Sequence, residues 1–324
     1  MKYGKISYVN KKISRIIFGM AMEPFLSGGD GKTLLDDVLS KGINTFDLAR
    51  VYGEAEMAMG DWMEQRGNRE EIVLLSKCAH PSETWEKRVN EREIRKDFAV
   101  SSEKLRTNYI DIYLLHRDDA AVEVGEIVEV LNAMHAEGKI GAFGGSNWTH
   151  DRIAAANEYA YKHGLIPFTV SSPSFSLAEQ VRDPWGGGGM TISGASNKEA
   201  RVWYRENHMP IIAYSSLAHG MLSGKIKSQE MRCHAETLNE VICKGYLCEE
   251  NIERLYRCEV LAKKKEISVP QVALAWSLHQ NLDVYAVISS SNPKRMQANI
   301  EALDVILTKK EMDYLELKNT TFEV

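Results

Sequence analysis

The chain has 324 residues, 44% of them hydrophobic and 26% charged, enough to bury one large core or two ordinary ones. Its 40 basic and 45 acidic side chains leave a net charge of −5, so the basic excess that marks a nucleic-acid footprint is missing. The N-terminal "MKYGKISYVN" lacks the apolar core of a signal peptide, and no apolar run reaches membrane-spanning length.

In chain order, "KISYVNKKIS" reads as a small hairpin around Asn10-Lys11, ahead of the main fold. Apolar runs that predict strands follow at 13–20, 43–49, 72–79, 109–117, 140–147, 167–175, 210–217 and 284–291. Longer amphipathic stretches lie between them. In "GEIVEVLNAMHAEGK" (125–139), Ile127, Val130, Leu131 and Met134 share one helix face. Gly42, Gly138 and Gly164 stand where helices should stop in a left-handed turn. Eight strand–helix units predict an α/β fold of the (β/α)8 TIM-barrel type, one domain over residues 1–324, with the N-terminal hairpin outside it. An open doubly wound sheet is the alternative, but no GxGxxG follows the first strand. Two long connections, 176–200 and 218–249, follow strands and so belong on the C-terminal rim.

Several stretches imitate motifs. "SGGDGKTLL" contains Gly31-Lys32-Thr33, but Leu26 occupies the position where a phosphate loop needs glycine; a helix start capped by Asp30 explains it better. "WGGGG" (185–189) has neither a lysine nor a helix start and reads as a loop. Lys263-Lys264-Lys265 falls in a helical stretch and reads as a solvated face. Cys78, Cys233, Cys243, Cys248 and Cys258 are odd in number and irregularly spaced. Cys233-His234 with Cys243 and Cys248 fits no common zinc spacing, so reduced thiols in a cytoplasmic protein and no metal are expected.

A parallel barrel aims every strand's C-terminal end at one rim, where polar residues distant in sequence converge. Asp47, Lys77 and His116 end the second, third and fourth predicted strands, and Tyr52 follows in the loop after Asp47. Singly, each has an ordinary explanation: a turn cap, a solvated lysine, a core imidazole, half-buried packing. Four together at adjacent strand ends make a catalytic constellation. A phenol is a poor acid near neutrality; an adjacent lysine cation would lower its pKa, and a carboxylate would keep that lysine charged. An imidazole beside the phenol can orient a carbonyl, so the set suits protonation of a developing alkoxide.

The segments "GINTFDLARVYG", "LLSKCA", "IDIYLLHRDD", "GKIGAFGGSNW" and "AYSSLAHGMLSGK" resemble, in order, the signature segments of the aldo-keto reductase family. The similarity continues through "VPQVALAWSLHQN" to "ALDVILTKKEMDYLEL". It implies a (β/α)8 barrel that reduces aldehydes and ketones with NAD(P)H and without metal, with Asp47, Tyr52, Lys77 and His116 as the catalytic tetrad. It further implies that Ser146 and Asn147 hold the nicotinamide carboxamide, that Tyr214 stacks on the ring, and that Ser215, Leu217 and Gly220 hold the pyrophosphate. Ser289, Ser290, Ser291, Arg295 and Asn299 match the last cofactor segment. There a helix N-terminus suits an anion and Arg295 suits an adenosine 2′-phosphate, giving NADPH as the expected cofactor and NADH as the alternative.

The chain departs from the family pattern at Ser172, where glutamine usually touches the nicotinamide, and at Ser216, His219 and Ser289. Arg117 stands where many members carry tryptophan, and with Asp118 and Asp119 it places charge at the mouth; Arg117 and Asp118 are therefore the candidate substrate residues, suited to a sugar or polyol-type carbonyl. The expected partner is a small-molecule carbonyl compound, with no nucleic acid and no membrane, and a homo-oligomer left open. Two other readings of the barrel are a cofactor-sensing regulatory subunit and a lyase or isomerase. The second would not need Ser146, Asn147 or the Arg295 segment.

Overall fold

The apolar runs of the sequence become short buried strands, and the amphipathic stretches become helices that cover them. The computed structural model describes residues 1–233 and 238–322. Eight parallel strands close into a barrel, as the alternation of elements predicts. In chain order they are β3 (Ile16–Gly19), β4 (Thr45–Asp47), β5 (Val73–Cys78), β6 (Ile110–Leu115), β7 (Ile140–Ser146), β8 (Val170–Ser172), β9 (Ile211–Ala213) and β10 (Val284–Ile288), with β10 adjoining β3. Each lies within a predicted run but is shorter. The ladder outlasts the regular strand: Leu48 N–H donates to the Leu75 carbonyl (2.8 Å) and Arg50 N–H to the Lys77 carbonyl (3.1 Å).

By contact density the chain forms two compact units, Met1–Ser172 and Pro173–Val324. The first contains β3 to β8 with helices α1 (Lys32–Ser40), α2 (Ala55–Arg66), α3 (Glu91–Leu105), α4 (Val124–Ala136) and α5 (His150–Lys162). Residues Ile127, Val130, Leu131 and Met134 of α4 are buried, as their spacing predicts. The chain leaves helices through left-handed Gly42, Gly138 and Gly164. Asp30 accepts the Lys32 N–H at 3.1 Å at the start of α1, which accounts for the phosphate-loop imitation.

The second unit contains β9 and β10, paired from Val284↔Ile211 to Ala286↔Ala213. Its described helices are α6 (Lys198–Glu206), α7 (Ser228–Cys233), α8 (Glu240–Gly245), α9 (Glu249–Lys265), α10 (Val269–Leu278), α11 (Pro293–Glu301) and α12 (Lys309–Leu315). Lys263, Lys264 and Lys265 form the last turn of α9, where cations complement the helix dipole. The connections after β8 and β9 are long, as expected, and the second carries α7 and α8.

The hairpin differs from its expectation. Strands β1 (Tyr3–Gly4) and β2 (Ile13–Ser14) pair antiparallel as Tyr3↔Ser14 and Gly4↔Ile13, so the connection spans residues 5–12 and is no tight turn at Asn10-Lys11. The run 13–20 thus splits, its first two residues serving the hairpin. Lys11 explains the wider loop. Its Nζ donates to the Ile72 carbonyl (2.8 Å) and lies 3.3 Å from Asp111, near the N-terminal ends of β5 and β6. Asp111 also accepts from Arg69 Nη2 and the Leu74 N–H, each at 2.9 Å.

Asp111 is buried, and removing it would strand two partly buried cations and a backbone N–H. Asp111→Ala should therefore lower unfolding stability by roughly 3 kcal/mol, near the low end for a broken buried pair because the cations keep some water. Urea unfolding of the two proteins checks this; a change below about 1 kcal/mol would contradict the role given to Asp111.

Candidate active site

The tetrad is assembled within Met1–Ser172, from three consecutive strands. Asp47 ends β4, Lys77 is the penultimate residue of β5, and His116 follows β6 directly, its N–H donating to the Cys78 carbonyl at 2.8 Å. Tyr52 sits in the turn between β4 and α2. Gly53 makes that turn feasible, since its φ is +52° and a Cβ there would meet the Leu26 carbonyl oxygen at 2.2 Å.

Lys77 Nζ donates to Asp47 Oδ1 in a short, buried ion pair. It also donates to the Leu48 carbonyl (2.9 Å) and stands 3.4 Å from Tyr52 Oη. The ammonium lies 4.9 Å from the Tyr52 ring centre. The His116 ring meets Tyr52 edge-on, centroids 5.7 Å apart. All four predicted catalytic residues are therefore in one cluster.

Electrostatics sharpen their roles. Burial disfavours the charged form of every member. For Lys77 it pulls the pKa down, but the Asp47 carboxylate more than offsets this, with Tyr52 adding to it, and the ammonium is held above its ordinary range. Burial raises Asp47, and Lys77 opposes that rise. Tyr52 departs from expectation: burial raises its pKa, and the opposing pull of Lys77 does not bring it below the usual phenol value. The phenol is thus a fully protonated donor at neutral pH. His116 is pushed well below the usual imidazole range, by burial first and then by Lys77 and Arg117. It is neutral, and its buried Nδ1 has no hydrogen-bond partner among the described residues.

His80 was not singled out in the sequence. Its ring packs on His116 at 4.9 Å and lies 6.3 Å from that of Trp85, extending the aromatic series outward from Tyr52. Its Nδ1–H donates to the Pro81 carbonyl at 2.9 Å. The segment is anchored: Asp97 accepts the Ala79 N–H (2.8 Å), and Arg88 donates to the His80 carbonyl (3.1 Å). Glu56, also outside the predicted constellation, is buried on α2 and accepts the Ser76 hydroxyl at 2.6 Å, tying the helix after Tyr52 to the strand bearing Lys77. The signals were present, three residues after Lys77 and four after Tyr52, but neither falls at a strand end.

Ser146, Asn147 and Ser172 also belong to the first unit, and all are buried. Asn147, at φ +62°, donates through Nδ2 to the His116 carbonyl (3.0 Å) and to Ser146 Oγ (3.1 Å). Ser146 Oγ donates to the Ser172 carbonyl at 3.0 Å, so this trio braces the backbone behind His116. Of the substrate candidates, Asp118 spends both carboxylate oxygens on Arg152 Nε (3.2 and 3.1 Å), which leaves it poorly placed to accept substrate hydroxyls. Arg117 remains unpaired with any acid among the described residues.

The other cofactor candidates lie in Pro173–Val324. Tyr214 follows β9, donates to the Met190 carbonyl (3.3 Å) and meets the Trp185 ring at 5.9 Å. Trp185 opens the glycine-rich stretch, which Asp183 clasps by accepting the Trp185 (3.0 Å) and Gly189 (2.9 Å) N–H groups. Ser215, Ala218, His219 and Gly220 all have positive φ, and a Cβ on Gly220 would meet only Ser223 Oγ, at 3.9 Å. Within this turn the Ala218 N–H donates to the Ser215 carbonyl (2.7 Å) and the Gly220 N–H to the Leu217 carbonyl (3.0 Å), so these two N–H groups serve the turn itself. Ser289, Ser290 and Ser291 precede α11, whose N-cap Asn292 accepts the Arg295 N–H at 3.0 Å. Arg295 is exposed and forms no ion pair among the described residues, and Asn299 is buried. The serines before α11, the start of that helix and the Arg295 guanidinium are the donors that fit a dinucleotide phosphate.

Of the cysteines, Cys78, Cys248 and Cys258 are free thiols, and no group of three metal-binding side chains occurs among the described residues. His234 lies outside the described residues. No described helix is long and apolar enough to cross a membrane.

Comparison with known proteins decides the family, because the profile of the Aldo/keto reductase family matches residues 15–320. The chain belongs to the aldo/keto reductase family. A norsolorinic acid reductase B from Dothistroma septosporum is 28% identical over 294 residues, covering 88% of this chain and 70% of that protein. An aryl-alcohol dehydrogenase from Pestalotiopsis microspora is 25% identical, covering 94% and 78%. A probable aldo-keto reductase 1 from Glycine max is 28% identical, covering 93% and 84%. Family membership and these relatives support an oxidoreductase of small-molecule carbonyl compounds, and the family generally uses NAD(P)H.

The depressed imidazole of His116 has a measurable consequence. Its folded pKa lies below the unfolded value of 6.5, so the unfolded chain binds the extra proton first. Stability should be intact above that value and fall as pH drops beneath it, by up to about 1.4 kcal/mol per pH unit for this one group. In urea unfolding between neutral and mildly acidic pH, His116→Gln should show a correspondingly shallower loss. Equal slopes in both proteins would contradict a buried neutral His116.

Proposed function

We propose that this aldo/keto reductase reduces an aldehyde or ketone to an alcohol with NADPH, Tyr52 donating the proton. The observation that carries this is the Lys77 ammonium, paired with Asp47 and 3.4 Å from Tyr52 Oη. NADPH, when bound, supplies the hydride that adds to the carbonyl carbon. The alkoxide oxygen that develops takes its proton from Tyr52 Oη, and the phenolate left behind is stabilised by Lys77. Asp47 keeps that lysine charged in a buried site. His116, neutral, hydrogen-bonds the carbonyl oxygen and orients it toward the phenol. Ser146, Asn147 and Ser172 hold the nicotinamide carboxamide, and Tyr214 packs on the ring. Ser215, Leu217 and Gly220 hold the pyrophosphate, while Ser289, Ser290, Ser291, Arg295 and Asn299 hold the adenosine phosphate end. The protein acts as a single barrel domain in the cytoplasm.

A sugar or polyol-type substrate would draw on Arg117 as a donor to hydroxyls. The carboxylates that would accept from those hydroxyls are engaged, Asp118 with Arg152 and Asp119 with Lys87. This weakens the polyol reading and leaves the guanidinium as the distinctive group of the mouth.

Tyr52→Phe should lower kcat for carbonyl reduction by roughly 10²–10⁴-fold while cofactor affinity changes only a few-fold, because the lost proton acts in the transition state. Turnover close to the parent's would rule out Tyr52 as the acid. NADPH should be preferred over NADH, and Arg295→Ala should weaken NADPH by roughly tenfold more than NADH in fluorescence titrations, the loss of a charge-assisted bond to the 2′-phosphate. Equal weakening of both would remove Arg295 from cofactor selection.

A further inference from the structure

Three charged residues follow His116, and the structure treats them differently. Both carboxylate oxygens of Asp118 share the Arg152 Nε–H, at 3.2 and 3.1 Å. Asp119 Oδ1 accepts from Lys87 Nζ at 2.9 Å and from the Ala121 N–H at 3.1 Å. Both acids are neutralised by cations of the surrounding loops and helices. Arg117 has no such partner among the described residues. Its Nη1 donates to the carbonyl of its own neighbour His116 at 3.2 Å, and its buried Nε has no acceptor among the described residues. A half-buried guanidinium has lost part of its hydration, and its planar fork matches a carboxylate; one left without an anion is costly to keep.

The position of this cation is specific. It directly follows, and donates to the carbonyl of, His116, a member of the ring series that runs from Tyr52 to His116 (5.7 Å), His80 (4.9 Å) and Trp85 (6.3 Å). Its positive charge acts on Tyr52, His116 and His80 alike. Asp47, the acid of the tetrad, is taken by Lys77. Trp85 is 49% exposed and Val51, beside Tyr52, 44% exposed, so the same mouth offers apolar and aromatic surface. A cation next in the chain to the imidazole of an aromatic series, and lacking an acidic partner among the described residues, describes a receptor for an aromatic acid.

We propose that Arg117 is a specificity-determining residue that selects carbonyl substrates bearing a carboxylate on an aromatic frame, the acid pairing with Arg117 and the ring packing against His80 and Trp85. This rests on the carbonyl-reductase reading above, and it names the substrate class that reading leaves open. The chemistry of the step is unchanged: hydride adds to the carbonyl carbon, the Tyr52 proton goes to its oxygen, and the carboxylate takes no part beyond binding.

The test compares 4-carboxybenzaldehyde, its methyl ester and glyceraldehyde as substrates with NADPH, in the parent enzyme, Arg117→Met and Arg117→Lys. The parent should favour the acid over the ester by about tenfold or more in kcat/KM, the worth of a charge-assisted pair. Arg117→Met should lose at least about tenfold more on the acid than on the ester, mainly in KM, and Arg117→Lys should recover part of that loss. Acid and ester turned over equally by the parent, glyceraldehyde preferred, or Arg117→Met losing all three alike would overturn the proposal. Calorimetric titration with 4-(hydroxymethyl)benzoate in the presence of NADPH, with which an alcohol cannot react, gives a readout independent of turnover. Binding by the parent that weakens at least about tenfold in Arg117→Met and with added salt supports Arg117 as the anion site. No binding by the parent overturns it. If none of the three aldehydes is reduced while the benzoate still binds through Arg117, the carbonyl-reductase reading fails and the anion site stands.

Discussion

The first unit is organised around one buried ion pair, Lys77 with Asp47. Removing an ammonium and a carboxylate from water costs several kcal/mol per ion, and their attraction offsets this only when the remaining donors are also satisfied. Here the second contact of Lys77 goes to the Leu48 carbonyl and the third to Tyr52 Oη. The surrounding construction serves that arrangement. The parallel register brings Asp47 opposite Leu75, two residues before Lys77, so the two side chains meet across neighbouring strands. Gly53 turns the chain sharply after Tyr52, and Glu56, bonded to Ser76, fixes the following helix to the strand that bears the lysine. An ion pair of this kind contributes little to stability. Its presence in the interior is best understood as the means of keeping one positive charge next to one phenol.

Much of this was legible in the sequence because strand ends carry information. A run of apolar residues that stops at an ionisable side chain marks both the strand and the rim of a parallel barrel, so Asp47, Lys77 and His116 could be placed together without coordinates. The helix stops at Gly42, Gly138 and Gly164 were equally readable, since only glycine takes their left-handed backbone without penalty. The hairpin was less so. Its pattern predicts a turn at Asn10-Lys11, whereas Lys11 is held by Asp111 and the Ile72 carbonyl. A contact across about a hundred residues of sequence leaves no local trace.

The sign of the Tyr52 shift was the other point that spacing could not settle. Lysine beside a phenol argues for an easier proton, burial for a more tightly held one, and their balance depends on how much water the folded chain excludes. In the structure burial wins. That outcome suits a proton donor better than the expectation did. A phenol already ionised at neutral pH would have nothing to give, whereas a protonated one loses its proton only when an alkoxide develops beside it. In the reaction proposed above, Lys77 then stabilises the phenolate that results, so its charge acts on the product of the transfer more than on the resting acid.

The mouth shows the same limit from another side. The letters of "HRDD" promise three charges, and composition cannot say which of them face a ligand. Arg152 and Lys87, 35 residues C-terminal and 30 residues N-terminal of Arg117 in the chain, take the two acids and leave the arginine. The charge that matters is the one the fold declines to neutralise. Read this way, Lys77 and Arg117 are opposite uses of a cation at one site. The first is paired internally, so that its charge is fixed whatever binds; the second, in the proposal above, takes a partner that arrives with the substrate.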